Sequence, residues 1–396
     1  MSLRGRHSRS TGDAVGTQAP RRDIQVLRAL AVALVVACHA KVPGFAGGFV
    51  GVDIFFVISG YVITTSLLRS SEQRLGAQLL SFYARRVRRI APAASLVLSA
   101  TAIVGYLLLK KNYPLTLNDD IRWASLFGEN VRLIHTSSNY FIPGLTPSLV
   151  TQFWSLAVEE QFYIVYPLLL LSALAWTPKR ARRVVTLVLV GAGVIVSAWW
   201  SWRVTGTQPI SAYYSPFTRF WEIGLGCLVA LLPEHWTIRW RPLNVTVSVG
   251  AVVVVGVAMH HLSGSSVYPG VLAWWPCGAT ALLLLCGRRE GWAGGLTFLS
   301  APPVLYLGEI SYSLYLFHYA WLIMPQYFPS FPNNGLDRVG EVACALACAM
   351  LSYHLIENPI RHSRRLAGDT FASFVVLLIA IAVVWNATAI VNHLVG

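Results

Sequence analysis

Arg28 and His39 stand eleven positions apart, and every residue between them is apolar or small. An ionisable side chain carried into such a segment is costly and marks function by default. Eleven positions make almost a whole number of helical turns, so both side chains share one face, separated by roughly 16 Å along the axis. One belongs at each side of a bilayer. An imidazole in a low-dielectric site can take a proton from a hydroxyl as general base when a carboxylate orients it. Two carboxylates qualify: Asp53, near the start of the next apolar run (Gly47 to Tyr61), and Glu159 in a later one. The alternative for a membrane histidine is a simple interhelical hydrogen bond. Several ionisable groups at one depth favour chemistry. Cys38 adjoins His39, but neighbouring helix positions point about 100° apart, so packing is the better reading of the thiol.

Other residues add to this set. Phe82 to Pro92 carries Arg85, Arg86, Arg88 and Arg89 immediately before a predicted span. Such a cluster fixes topology and touches anionic lipid, but arginine forks also bind phosphates bidentately, which suits a nucleotide-like donor. In Gln152 to Tyr163, Glu159 and Glu160 sit in the opening turns of an apolar helix, with Ser155 and Glu159 on one face. Capping against the helix dipole explains one of them, and the other is a candidate to face the bundle. Ser311 to His318 adds a second outer histidine flanked by hydroxyls, at a similar depth but outside the face of Arg28. His260, His261, His354 and His362 lie at helix ends or among basic residues and read as interfacial.

The elements that must position these groups are membrane helices. The chain has 396 residues, 55% of them hydrophobic and only 12% charged, which excludes an ordinary soluble domain. Apolar runs long enough to cross fall near 24–42, 49–68, 92–109, 152–175, 184–202, 216–233, 244–260, 269–286, 304–324, 339–356 and 370–394. The expected fold is an all-α polytopic bundle of about 10–11 transmembrane helices. The net charge of +14 does not point to nucleic acid, because the arginines and lysines cluster between apolar runs. Their asymmetry places the N-terminus in the cytoplasm. His39, Asp53, Glu159 and His318 then fall in the outer half, and Arg28, the Arg85 to Arg89 cluster, Glu357 and Arg361 toward the cytoplasm. Residues 1–20 read as a disordered basic tail, and no signal-peptide cleavage site comes after them. The run near 291–303 is Gly- and Pro-rich and suits a re-entrant segment. Asn118 to Arg132 suits a short interfacial helix, and Pro143, Gly144 and Pro147 break the stretch beyond it. The six cysteines have no paired spacing in an external loop, so neither a disulfide framework nor a metal site is expected. No internal repeat is evident, which counts against many transporter architectures.

Taken together, the motifs resemble the integral-membrane acyltransferase family three, which modifies surface polysaccharides, lipid-linked sugars and macrolides. The resemblance covers about residues 21 to 366 and leaves 367–396 as a terminal transmembrane helix. It rests on Asp23 to Leu30 through His39, Gly48 to Gly60, Tyr83 to Pro92, Phe153-Trp154-Ser155-Leu156 with Glu159 to Tyr163, Arg219-Phe220-Trp221-Glu222, Tyr312 to His318, and Ser352-Tyr353 through Glu357 to Arg361. It departs from the family at Val26, where glycine is frequent, and in stopping short of the extracytoplasmic hydrolase-like domain of many relatives. The resemblance implies acyl transfer from cytoplasmic acyl-CoA, acetyl-CoA first, to a hydroxyl of a cell-envelope glycan or glycolipid, with no tightly bound cofactor. It makes Arg28 and His39 the central pair and gives Asp53 and Glu159 catalytic roles. Arg85, Arg86, Arg88 and Arg89 become donor-binding residues, and Trp154, Glu160, Arg219, Glu222, Tyr315, His318 and Glu357 acceptor or support residues. A separate extracytoplasmic transferase is a candidate partner. The rival function is a transporter of a lipid-linked sugar or acyl group that makes no bond, because buried ionisable residues also line transport paths. A structural or sensory membrane protein is the third.

Overall fold

The computed structural model describes residues 21–69, 74–114, 116–136, 147–233, 235–288, 297–328 and 335–395. The expected basic tail, Pro143 and Gly144, and residues 291–296 of the 291–303 run lie outside the described residues. The described chain is helical, with no strand: α1 (Arg22–His39), α2 (Gly51–Arg69), α3 (Leu75–Leu109), α4 (Leu117–Ser125), α5 (Glu129–His135), α6 (Phe153–Trp176), α7 (Arg182–Thr205), α8 (Pro209–Tyr214), α9 (Pro216–Leu231), α10 (Arg241–His261), α11 (Trp274–Cys286), α12 (Pro302–Glu309), α13 (Ser311–Ile323), α14 (Gly335–Ser352), α15 (Asn358–Arg361), α16 (Arg364–Gly368) and α17 (Thr370–Val395). Among the described residues, seven helices are long and apolar enough to cross a membrane, built on α2, α3, α6, α7, α10, α14 and α17. The other expected spans coincide with α1, which carries Arg22, Asp23 and Arg28, with the shorter α9 and α11, and with α12 and α13. This is a polytopic membrane helix bundle.

The bundle centres on α1 and α2. Buried faces of both join α9 and α11 in one apolar core, while α3 and α17 build a second with α4 and part of α13. The crossing of α2 and α9 is close enough to specify glycine on both sides. A Cβ at Gly60 would lie 1.8 Å from the Ile223 carbonyl oxygen, and one at Gly226 would lie 1.9 Å from that of Val57. Small residues that let backbones approach are the usual means of packing helices in lipid, where water supplies no hydrophobic drive between them.

Three elements differ from the sequence reading. α3 begins at Leu75, not near residue 92, so the arginine cluster lies within the helix instead of before it. Pro92 is accommodated inside α3, where its missing N–H removes one rung without ending the helix. The expected interfacial helix is two helices, α4 and α5, separated at Leu126 to Gly128, where Phe127 adopts φ of 53°. The expected ninth span is divided at Ile310 into α12 and α13. A further irregularity comes after α14: Tyr353–Glu357 forms a π turn before α15. Each residue inserted into a helix rotates the face beyond it by about 100°, and π turns recur at functional sites.

Candidate active site

Two cavities stand out. The larger, about 550 Å³, is an apolar groove between α6, α7 and α9 with no charged residue in its lining. The smaller, about 260 Å³, is lined by charged and hydroxyl side chains among apolar ones and lies among α1, α2, α3, α6, α13 and α15. Five arginines line it, Arg21, Arg28, Arg86, Arg89 and Arg361, with Glu159 as the carboxylate in the lining and with Asp23 and Glu160 paired to Arg21 and Arg86. An excess of positive charge held in a low-dielectric bundle is a strong site for an anion.

The lining is set by helix geometry. Arg86 and Arg89 are three residues apart and share the α3 face that meets the cavity. Arg85 is exposed on another face, and Arg88 is buried, donating to the Leu366 carbonyl at 2.9 Å and to Ser373 Oγ at 2.7 Å. Of the four arginines read as donor-binding, Arg86 and Arg89 line the cavity, Arg88 fastens α3 to α17, and Arg85 faces away. Arg86 is held on three sides, by Glu160, by Glu159 at 3.8 Å, and by the Tyr163 ring, whose centroid is 3.7 Å from its guanidinium carbon. Glu159 accepts hydrogen bonds from Ser59 Oγ and Tyr163 Oη. Arg28 donates to Gln25 Oε1 at 3.3 Å and has Glu357 and Glu159 as its attractive charges. The π turn brings Glu357 to α13, where it accepts from Ser313 Oγ at 2.7 Å, and Arg361 stands one turn later in the cavity wall.

His39 closes the α1 face beyond this cavity. It is half-buried, and its Nδ1 lies 3.0 Å from Nε2 of His318, which is fully buried on α13. The Tyr319 ring stands edge-on to His39 with centroids 5.1 Å apart. Between the cavity and the histidines, Tyr315 donates to the Gln152 carbonyl at 3.0 Å and lies 2.6 Å from Ser155 Oγ. The placement of His318 outside the face of Arg28 is thus corrected, since α13 packs along α1 and sets the two imidazoles together.

Asp53 has a different partner from the one the sequence suggested. Its Oδ1 accepts from Arg219 Nη1 at 3.0 Å, and the same nitrogen donates to Glu222 Oε1 at 2.6 Å. Arg219 is enclosed by the rings of Phe56, Trp154, Tyr213 and Tyr268, with centroids 5.3 to 5.7 Å from its guanidinium carbon. All three charged groups are at most 1% exposed. Cys277 approaches the two carboxylates, with ligand atoms within 4.8 Å, but the Arg219 guanidinium already pairs with both of them. Asp53, Arg219, Glu222 and Trp154 therefore form a clamp between α2 and α9. The described bonds of Glu159 likewise go to Ser59, Tyr163 and Arg86, so it belongs to the arginine cavity.

Sequence reasoning passed over Ser59, Tyr163 and Arg21 as cavity residues and Glu129 altogether. Glu129 on α5 is fully buried, and neither carboxylate oxygen has a hydrogen-bond partner. Burial and nearby Asp120 hold its carboxyl well above the ordinary carboxylate range, with Arg132 opposing weakly. A charged residue in a short helix between spans gave no sign of this burial.

The family model described as "Acyltransferase domain", of acyltransferase family three, matches residues 21–385 and so extends into α17. The chain is similar to the peptidoglycan O-acetyltransferase OatA of Listeria monocytogenes, 30% identical over 355 residues that cover 85% of this chain and 55% of that protein. It is similar also to the O-acetyltransferase OatA of Staphylococcus aureus, 28% identical over 364 residues covering 85% and 56%. The chain spans about half the length of these relatives. No solved structure matches it. With the match running through both the arginine cavity and the paired histidines, the chain belongs to the integral-membrane acyltransferase family three.

Proposed function

We propose that the protein is a membrane O-acyltransferase that moves a short acyl group, acetyl first, from acyl-CoA to a hydroxyl of a cell-envelope glycan. The observation that carries this reading is the cavity of five arginines lying on the same α1 face as His39. Phosphates of the donor pair with Arg28, Arg86, Arg89 and Arg361 at the cytoplasmic end, where arginine forks recognise them bidentately. The rise of roughly 16 Å from Arg28 to His39 suits an extended pantetheine arm, which delivers the thioester to the imidazole. His39 takes the proton of the acceptor hydroxyl as the oxygen attacks the thioester carbonyl, the carbon–sulfur bond breaks, and the thiolate leaves. The partial exposure of His39 suits an acceptor arriving from the far side. A peptidoglycan hydroxyl is the first acceptor to test, because a relative is named for that acceptor.

The test is to incubate the purified protein in nanodiscs with acetyl-CoA labelled in the acetyl group and with envelope glycan fragments. Label covalently attached to glycan supports the reading. Movement of label or glycan across proteoliposomes without a new bond would establish the transporter instead.

A further inference from the structure

The proposed base rests against a second imidazole, and that contact decides which nitrogen of His39 bears its lone pair. Nδ1 of His318 stands 2.7 Å from the Tyr315 carbonyl oxygen and 3.2 Å from that of Leu314. A carbonyl only accepts, so this nitrogen carries hydrogen and a neutral His318 holds its lone pair on Nε2. That Nε2 faces His39 Nδ1 at 3.0 Å. Two lone pairs would repel at such a distance, so His39 Nδ1 carries hydrogen and donates it. The lone pair of neutral His39 is then on Nε2.

We propose that His318 is a positioning residue that fixes His39 in its Nδ1–H tautomer and thereby assigns the base to Nε2. The catalytic consequence rests on the acyl-transfer reading above; the tautomer does not. In the reaction, the acceptor O–H gives its proton to His39 Nε2 while its oxygen bonds to the thioester carbonyl carbon. The carbon–sulfur bond then breaks, and the proton on Nε2 passes to the departing thiolate, restoring neutral His39. Throughout, His39 Nδ1–H remains bonded to His318 Nε2, which supports the imidazolium while it lasts. A carboxylate usually fills this orienting role, but a second imidazole anchored on backbone carbonyls fills it without burying a negative charge in the membrane, where ionised groups are costly. The edge of Tyr319 holds the ring plane from another side.

The experiment combines a structural and a kinetic measurement on the full chain in bilayers. Nitrogen NMR of histidine-labelled protein, assigned with single variants, reads the tautomer of each ring. His39 should be Nδ1–H, the minority form of free neutral histidine, and His318→Phe should release it to Nε2–H. Labelled-acetyl turnover should fall about 100-fold in His318→Phe with the KM for acetyl-CoA unchanged. His318→Gln, whose amide oxygen can accept from His39, should recover most of that loss. A wild-type His39 protonated on Nε2 overturns the proposal, as does full turnover in His318→Phe or no recovery in His318→Gln. The expected tautomers in a protein that transfers no acyl group would support the positioning and refute the acyl-transfer reading.

Discussion

At the residue scale, His39, the arginines of the cavity and Glu129 each make a separate claim. His39→Ala removes the proposed base, and general bases typically contribute on the order of 10²–10⁴-fold in rate. Turnover of labelled acetyl-CoA should fall by that factor while the KM for the donor, set at the arginine end, holds; turnover within threefold of wild type would remove His39 from the mechanism. Arg86→Gln and Arg89→Gln each lose a charge-assisted contact worth about 1.5–3 kcal/mol, which is roughly a 10- to 150-fold weaker Kd for acyl-CoA by calorimetry. Arg85→Gln, on the exposed face, is the matched control and should bind as wild type. Glu129 gives a prediction in stability. Its folded-state carboxyl titrates above its unfolded value, so the folded protein holds a proton that the unfolded chain releases first. The stability this contributes is complete below the ordinary carboxylate value of about 4.3 and is lost as pH rises through the raised folded value. Glu129→Gln should therefore match wild type in Tm near pH 4 and exceed it at pH 8, and equal Tm values at pH 8 would mean the carboxylate is compensated in the folded protein.

At the scale of elements, the sequence was informative where the signal is local. The Arg28 and His39 pair is visible because both residues lie on one helix and both are expensive there. The partners were not visible, because they arrive from other helices: Arg219 is 166 positions from Asp53, and His318 is 279 from His39. Both assignments depend on which helices pack together, and the α2–α9 contact is set by backbone approach at Gly60 and Gly226, which hydropathy does not register. Pro92 misled in the other direction, since its neighbours are good enough helix formers to carry α3 through it. The π turn at Tyr353–Glu357 depends on contacts with α3 and α13 and leaves no periodicity to read. The clamp obeys its own rule. Arg219→Ala leaves Asp53 and Glu222 buried without their cation and should destabilise the protein by about 3–5 kcal/mol, measured as a fall in thermal or denaturant stability in detergent micelles. Arg219, Asp53 and Glu222 do not line the arginine cavity, which meets this clamp only across Phe56, so the fraction that remains folded should bind acyl-CoA with wild-type affinity. Loss of donor affinity in the folded fraction would instead place Arg219 in the donor site.

For the whole molecule, the orientation of the bundle decides whether the arginine cavity meets the compartment that holds acyl-CoA. Counting crossings from α1 places the segment after α7 on the side of His39 and the segment after α6 on the side of Arg28. α7 has 24 residues, about 36 Å of helix, enough to separate the two segments by a full bilayer. The segment after α6 carries Lys179 and Arg180, with Arg182 and Arg183 opening α7, whereas the far end of α7 carries Arg203 alone and Gly206, Thr207 and Gln208 after it carry no charge. Basic linkers stay in the cytoplasm, so the Arg28 end should be inside. Lys179 and Thr207 are both exposed, which makes them suitable labelling positions. In a background with the six native cysteines replaced, Thr207→Cys should react with a membrane-impermeant maleimide added to intact cells, and Lys179→Cys should react only after the membrane is opened. The reverse pattern would turn the arginine cavity outward, away from cytoplasmic acyl-CoA, and would require a donor from the envelope side even if His39 proved to be the base.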